Sequence, residues 1–419
     1  MSAKWGLTEL FQAWGFSYPG SAEILAALTS AVLLVGFIAL AALFFIWLER
    51  KVSARIQDRL GPTRVGGYIG WAQSIADGIK LFVKEDLVPA AADGWLFRLA
   101  PYVAFCGTFV AFIALPFADG WSAYTSGMGV FAIGVLFMLA VLSTEVFGVI
   151  LAGCSSGNKW ALYGGMREAA QMVSYEVPMA LCVLVPVLLA GTLDLGAITR
   201  QQSGWFFNWF VFHDPFTFVA FWTYFTCAVA SCKRAPFDLA EAESELVAGF
   251  HTEYSGLRWA FFFMAEYGTM FAVSGIATHL FLGGWNLGLP VWSLFGAPAD
   301  LAAWLPWPHP ILSVGNLLNA GIFTFKCFLL VTVMMWLRWT LPRIRIDQVM
   351  SACLIYLLPI SCVVLMGVCL WQLFVPPWWR IVVAYSLAAG WIVFVLAVGV
   401  RLFSSTSQFP QASNVAAIR

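Results

Sequence analysis

Charge is what this sequence has least of. Only 11% of its 419 residues are Asp, Glu, Lys or Arg, about half the share of a soluble domain, and this excludes a water-soluble globule. Histidine is rarer still. His213, His251 and His309 fall in loops and only His279 lies near a helix end, so the paired axial ligands of a membrane haem are missing. The nine cysteines include no CxxC spacing, which removes the usual zinc and iron–sulfur frameworks. Most lie inside apolar runs and read as small core residues. The chain is therefore expected to bind no metal and no cofactor of its own. A cleaved signal peptide is not expected either, because Lys4 is the only early cation and the first apolar run is long and flanked by "ERK". No repeat relates the two halves, and no nucleic-acid partner is expected.

What fills the space is apolar: 61% hydrophobic residues, 16% aromatic and a mean hydropathy of +0.84. A bilayer core of about 30 Å needs roughly 20 apolar residues per helix. Such runs occur at 24–47, 98–118, 128–152, 172–192, 216–232, 259–282, 314–337, 351–374 and 381–402. The expected fold is an all-α polytopic membrane protein of nine transmembrane helices, forming one integral domain over 1–419. If the amino terminus lies outside, the loops 49–97, 153–171, 233–258 and 338–350, with Arg98 at the edge of the first and Arg401 and Arg419 at the carboxyl-terminal end, collect 18 of the 22 Lys and Arg residues. Lys4, Arg200 and Arg380 remain outside and Lys326 falls in a helix. The positive-inside rule then predicts cytoplasmic charged loops. Within the first loop, Tyr68, Trp71, Ile75, Ile79 and Phe82 recur at three- and four-residue steps, which predicts an amphipathic helix on the membrane surface. It reads equally as a lipid-resting connector or as a doorway for an amphiphile.

The acids concentrate in "RAPFDLAEAESELVAGFHTEYSGLR", residues 234–258. Taken as one helix, "PFDLAEAESELVAGF" places Asp238, Glu241 and Glu245 on one face and turns Glu243 toward Leu239, Leu246 and Phe250. Glu243 is then the candidate proton holder, desolvated by apolar neighbours. A plainer alternative is that acids after Pro236 complement a helix macrodipole. Glu145, Glu176, Glu266 and Lys326 fall within apolar runs. There each costs at least about 2.5–3.5 kcal/mol and should face protein or water. Glu176 precedes Pro178, whose ring frees a backbone carbonyl and favours a polar pocket. For Glu145 the alternative is a structural pair across a helix interface; for Lys326 it is a packed polar residue. Arg50, Arg59 and Arg64 read as topology determinants or as fixed guanidinium groups lining a polar passage.

Five segments, "ERKVSARIQDRLGPTRVG", "ADGIKLFVKE", "GGMREAAQMVSYEVP", "RAPFDLAEAESELVAGFHTEYSGLRWAFFFMAEY" and "RWTLPRIRIDQVM", together resemble the quinone-facing membrane subunit of respiratory complex I, the proton-translocating NADH:quinone oxidoreductase. In mitochondria the family is known as subunit 1, and bacteria carry its counterpart. The resemblance implies a chain without its own redox centre that forms much of a quinone chamber, with quinone as substrate. The chamber opens to lipid between helix 1, the surface helix and helix 6. Arg50, Arg59, Arg234, Phe237 and Asp238 would lie along it. Glu49, Glu145, Glu176, Glu241, Glu243, Glu245, Glu253 and Glu266 would couple quinone reduction to proton translocation. Flavin and iron–sulfur clusters would belong to peripheral-arm partners on the cytoplasmic side. Small membrane subunits and antiporter-like subunits would flank the chain in a bacterial inner membrane. Cys154, Gly67 and a ninth helix depart from the family pattern. The alternatives are a related membrane-bound hydrogenase complex or a self-contained ion-coupled secondary transporter, which the missing internal repeat disfavours.

Overall fold

The computed structural model describes residues 21–118, 133–239, 243–288 and 314–406. Regular structure among the described residues is entirely helical. Eight helices are long and apolar enough to cross a membrane, and Pro215–Ser231 is a shorter apolar helix. The main elements are α1 (Ser21–Ile56), α2 (Gln73–Val83), α3 (Gly94–Ala114), α4 (Gly134–Leu142), α5 (Thr144–Ser155) and α6 (Lys159–Ala190). They continue as α7 (Pro215–Ser231), α8 (Gly256–Phe281), α9 (Val314–Thr340), α10 (Leu358–Phe374) and α11 (Pro377–Thr406).

Polar turns lengthen several helices beyond their apolar runs. Helix α1 continues to Ile56, carrying Glu49 and Arg50 on a regular helical surface. Helix α6 starts at Lys159, where Asn158 caps it by accepting from the Trp160 amide at 3.0 Å. Residues 159–171, expected in a loop, are therefore helical. The third apolar run divides at Ser143: its hydroxyl and that of Thr144 donate to the carbonyls of Ala140 and Val141, a common way to bend a helix. Residues 128–132 of that run lie outside the described residues.

Helix α8 runs through the middle and is mostly buried. Its Phe271 lies among Phe37, Phe45, Phe112, Phe117, Phe323 and Phe328, so aromatic packing joins α1, α3, α8 and α9. Small residues bring backbones together elsewhere: a Cβ on Gly148 of α5 would stand 2.6 Å from the Ala104 amide of α3, the close approach that glycine permits in membrane bundles. Helix α2 carries the exposed side chains of Ile75, Ile79 and Phe82, the apolar face its spacing predicts. Helix α11 is almost wholly exposed along its span.

The acidic segment differs from its expectation. Pro236–Leu239 is not helical, a helix of four residues covers Glu243–Leu246, and Gly249–His251 forms a separate 3-10 turn. Val247 has φ +65°, a left-handed conformation that no helix continues through. A single helix over residues 236–250 is therefore excluded, and with it the shared face that helical geometry would give Asp238 and Glu245. Glu241 lies outside the described residues, as does the side chain of Glu243.

Candidate functional site

The site begins where α7 stops. Lys233 adopts φ +56°, a conformation that costs a non-glycine residue roughly 1–2 kcal/mol, and the turn sends two neighbouring cations in different directions. Lys233 reaches Glu145 on α5, Nζ to Oε1 at 2.9 Å, and pairs with Glu168 on α6. Arg234 reaches Glu49 on α1 at 3.0 Å and Glu266 on α8, Nε to Oε1 at 2.6 Å. Arg338 on α9 donates to Glu49 Oε1 at 2.5 Å, and the Tyr267 hydroxyl to Glu49 Oε2 at 2.5 Å. Arg234 also lies 4.6 Å from the centre of the Tyr267 ring, within cation–π range.

The two halves are neighbours, joined through the chain at Lys233–Arg234 and through α8. Thr269 donates to Glu145 Oε2 at 2.7 Å and lies 3.1 Å from the Thr108 hydroxyl. Glu266 and Thr269 are three residues apart on α8, hence on one face, so this helix carries a member of each half. Five helices thus meet at a buried junction of four carboxylates and three cations. Arg234 is 3% exposed and Glu168 is 1% exposed, so the charges are stable there only as mutual partners. Burial opposes the charge on Lys233, but Glu145 and Glu168 overcome it and hold the ammonium above the usual lysine pKa. Burial likewise opposes, and Glu266 and Glu49 restore, the charge of Arg234.

Beside the junction is a cleft. Glu49 and Arg50 are consecutive on α1, so they point about 100° apart. Glu49 enters the junction while Arg50 pairs with Asp77 of α2 at 2.5 Å. Arg50, Arg59, Leu60, Gly61, Pro62 and Gln73 line an open cavity of about 520 Å³. Gly70 packs against Pro62 of that lining: its φ is +67°, and a Cβ there would lie 2.1 Å from the Pro62 carbonyl oxygen. Trp47 Nε1 donates to the Ile69 carbonyl at 3.0 Å, tying the same loop to α1. The expected tunnel residues therefore separate: Arg50 and Arg59 line the cleft, Arg234 is in the junction, and Asp238 is buried and accepts from Arg343 at 2.8 Å. Phe237 packs against Tyr175 in the core.

The remaining acids are spread along the same end of the bundle. Glu245 is paired with Arg167 at 2.7 Å, and that hydrogen bond and charge hold its carboxyl below the usual range. Glu253 accepts from Asn158 at 2.7 Å. Glu176 is half-buried and makes no hydrogen bond or ion pair among the described residues. The carbonyl freed by Pro178, that of Ser174, accepts from the Cys353 thiol at 3.0 Å, so a cysteine supplies the partner there. Lys326 is a packed polar residue: it donates to the carbonyls of Leu282 and Asn286 at 2.7 and 2.5 Å and covers the Trp209 ring. Lys233, Glu168 and Arg338 were not legible as site residues. Lys233 and Arg338 read as topology charges, and Glu168 was one acid in a polar helix start. A usable signal for Glu168 is its place on the same stripe as Gln171, Tyr175 and Cys182, all buried.

A family model described as NADH dehydrogenase matches residues 29–369. A subunit of the NADH-quinone oxidoreductase of Anaeromyxobacter dehalogenans is 44% identical over 348 residues, covering 82% of this chain and 81% of the relative. The like-named subunit of Chlorobium luteolum is 44% identical over 371 residues, covering 87% and 95%. That of Geobacillus thermodenitrificans is 42% identical over 354 residues, covering 84% and 95%.

Proposed function

The chain belongs to the NADH dehydrogenase family, and from that premise we propose that it is the membrane subunit of a proton-pumping NADH:quinone oxidoreductase that couples quinone reduction to proton movement. The observation that carries the proposal is the adjacency of Arg50 and Glu49, one on the cleft and the other in the buried junction. The cleft receives the quinone from the bilayer, past the exposed apolar face of α2. Reduction consumes protons near the cleft. The resulting field acts first on Glu49, whose two cations also contact Glu266 and the protein surface, and passes through the Arg234–Lys233 turn to Glu145 and Glu168. Electrons arrive from flavin and iron–sulfur clusters in peripheral partners, and the far side of the junction faces antiporter-like subunits. The charged loops are cytoplasmic and the membrane is a bacterial inner membrane.

Glu266→Gln in the assembled complex tests this. We expect quinone reduction and proton pumping to fall together, by roughly tenfold or more for a group-specific proton step, while electron transfer to an artificial acceptor that bypasses quinone stays at the wild-type rate. Unchanged quinone reduction with unchanged pumping sinks the proposal. Ion exchange by the purified chain alone in vesicles favours a transporter instead.

A further inference from the structure

At the end of the bundle opposite the junction there is a second cavity, of about 640 Å³, between the Phe207–His213 segment and the start of α11. From Glu168 to Leu188 on its wall is 20 residues of α6, roughly 30 Å of helix, about the thickness of a bilayer core. Its lining is mixed. Leu188, Leu189, Ile381 and Ala384 are its apolar part, while Arg380, Gln372, His213, Gln201 and Asn208 supply polar groups. Volume and lining fit a small amphiphile.

Arg380 is held in place without being used up. Its Nε donates to the Val375 carbonyl at 2.9 Å, and its Nη1 to the Gln372 side-chain oxygen. Its Nη2 makes no hydrogen bond among the described residues, which leaves two N–H donors of an oriented guanidinium at the cavity. Asp214, the carboxylate beside it, is fully buried and taken by His213 at 2.9 Å and by Gln372 at 3.2 Å. Arg380 lines the cavity and Asp214 does not, so the charged side chain presented to an occupant is the guanidinium. Trp378 and Trp379 are exposed next to it, the placement of an interfacial aromatic belt. The face of α11 below is apolar and open, with Ile381 and Val382 exposed.

We propose that this cavity is a binding site for an anionic phospholipid, whose phosphate pairs with Arg380 and whose acyl chains run along α11. A guanidinium suits a phosphate because it stays charged and its remaining N–H donors are fixed in one plane. An aqueous phosphate would use the polar groups and leave the apolar part uncovered. A lipid covers both. The site also gives the lightly packed α11 a reason to stay docked, since its own contacts with the bundle are few. The lipid binds whether or not the junction moves protons.

The test uses the purified complex, delipidated and then incubated with phosphatidylglycerol or phosphatidylcholine, with retained lipid counted by mass spectrometry after detergent washing. The wild type should retain phosphatidylglycerol in preference to phosphatidylcholine. Arg380→Gln should reduce the retained phosphatidylglycerol roughly tenfold or more, the loss expected from one charge-assisted pair. Ala384→Trp, which fills the cavity and keeps the arginine, should reduce it as well, and serves if Arg380→Gln fails to assemble. Equal retention by both variants overturns the proposal. So does equal retention of the two lipids, complete displacement by millimolar inorganic phosphate, or crosslinking of Tyr385 to another subunit in the intact complex.

Discussion

Lys233 is the residue on which the junction turns. It is the cation for Glu145 and Glu168 together, so removing it takes the paired positive charge from two buried carboxylates. Breaking a buried pair from one side costs about 3–5 kcal/mol. Lys233→Met should therefore lower the thermal midpoint of the assembled complex, and adding Glu145→Gln should recover part of the loss. A single variant that melts with the wild type shows that the pairing does not hold this end together. At this scale the sequence was informative where an apolar run made charge expensive: Glu145 and Glu266 stood out for that reason, the family resemblance added Glu49 and Arg234, and all four meet. It was silent on which cation meets which acid. That is decided by a left-handed turn at Lys233, and residue type does not announce such a turn outside glycine.

At the level of elements, glycine sets how close the acidic segment comes to α6. A Cβ on Gly164 would lie 2.8 Å from both the Gly249 Cα and the Phe250 amide, atoms of backbone that cannot step aside. Phe250 in turn lies 5.6 Å from Lys233 Nζ. Gly164→Ala should push the 3-10 turn off α6 and destabilise the complex by about 1–3 kcal/mol, the usual scale of overpacking, visible as a lower melting temperature. An unchanged melting temperature means that the turn carries none of the packing. The apolar runs located the helices well but not their ends, because hydropathy stops at the first polar turn while hydrogen bonding and caps continue. The reverse happened in the acidic segment. Helical spacing predicted one continuous helix, and Val247 ended it after four residues.

For the whole molecule, the distribution of cations predicts which side faces the cytoplasm. In a background free of native cysteines, Ser203→Cys should react with a membrane-impermeant maleimide on intact cells. Lys84→Cys should react only in inverted vesicles stripped of peripheral subunits. The opposite pattern inverts the topology. Both positions are exposed in the chain itself. The fold class, the family and the surface helix could all be read from one sequence because each rests on repeated local patterns. The cavity beside α11 could not, since its walls come from five separated stretches of chain.

Depth adds a consequence. Glu266 is ten residues into α8 from Gly256, roughly 15 Å along a helix of about 39 Å. A charge gained or lost there sits inside the electric field of an energised membrane, in which a full crossing is worth about 2.3 kcal/mol per elementary charge at 100 mV. Protonation at the junction is thus weighted by voltage as well as by its neighbours, and the same residues experience a different balance in a polarised cell than in detergent.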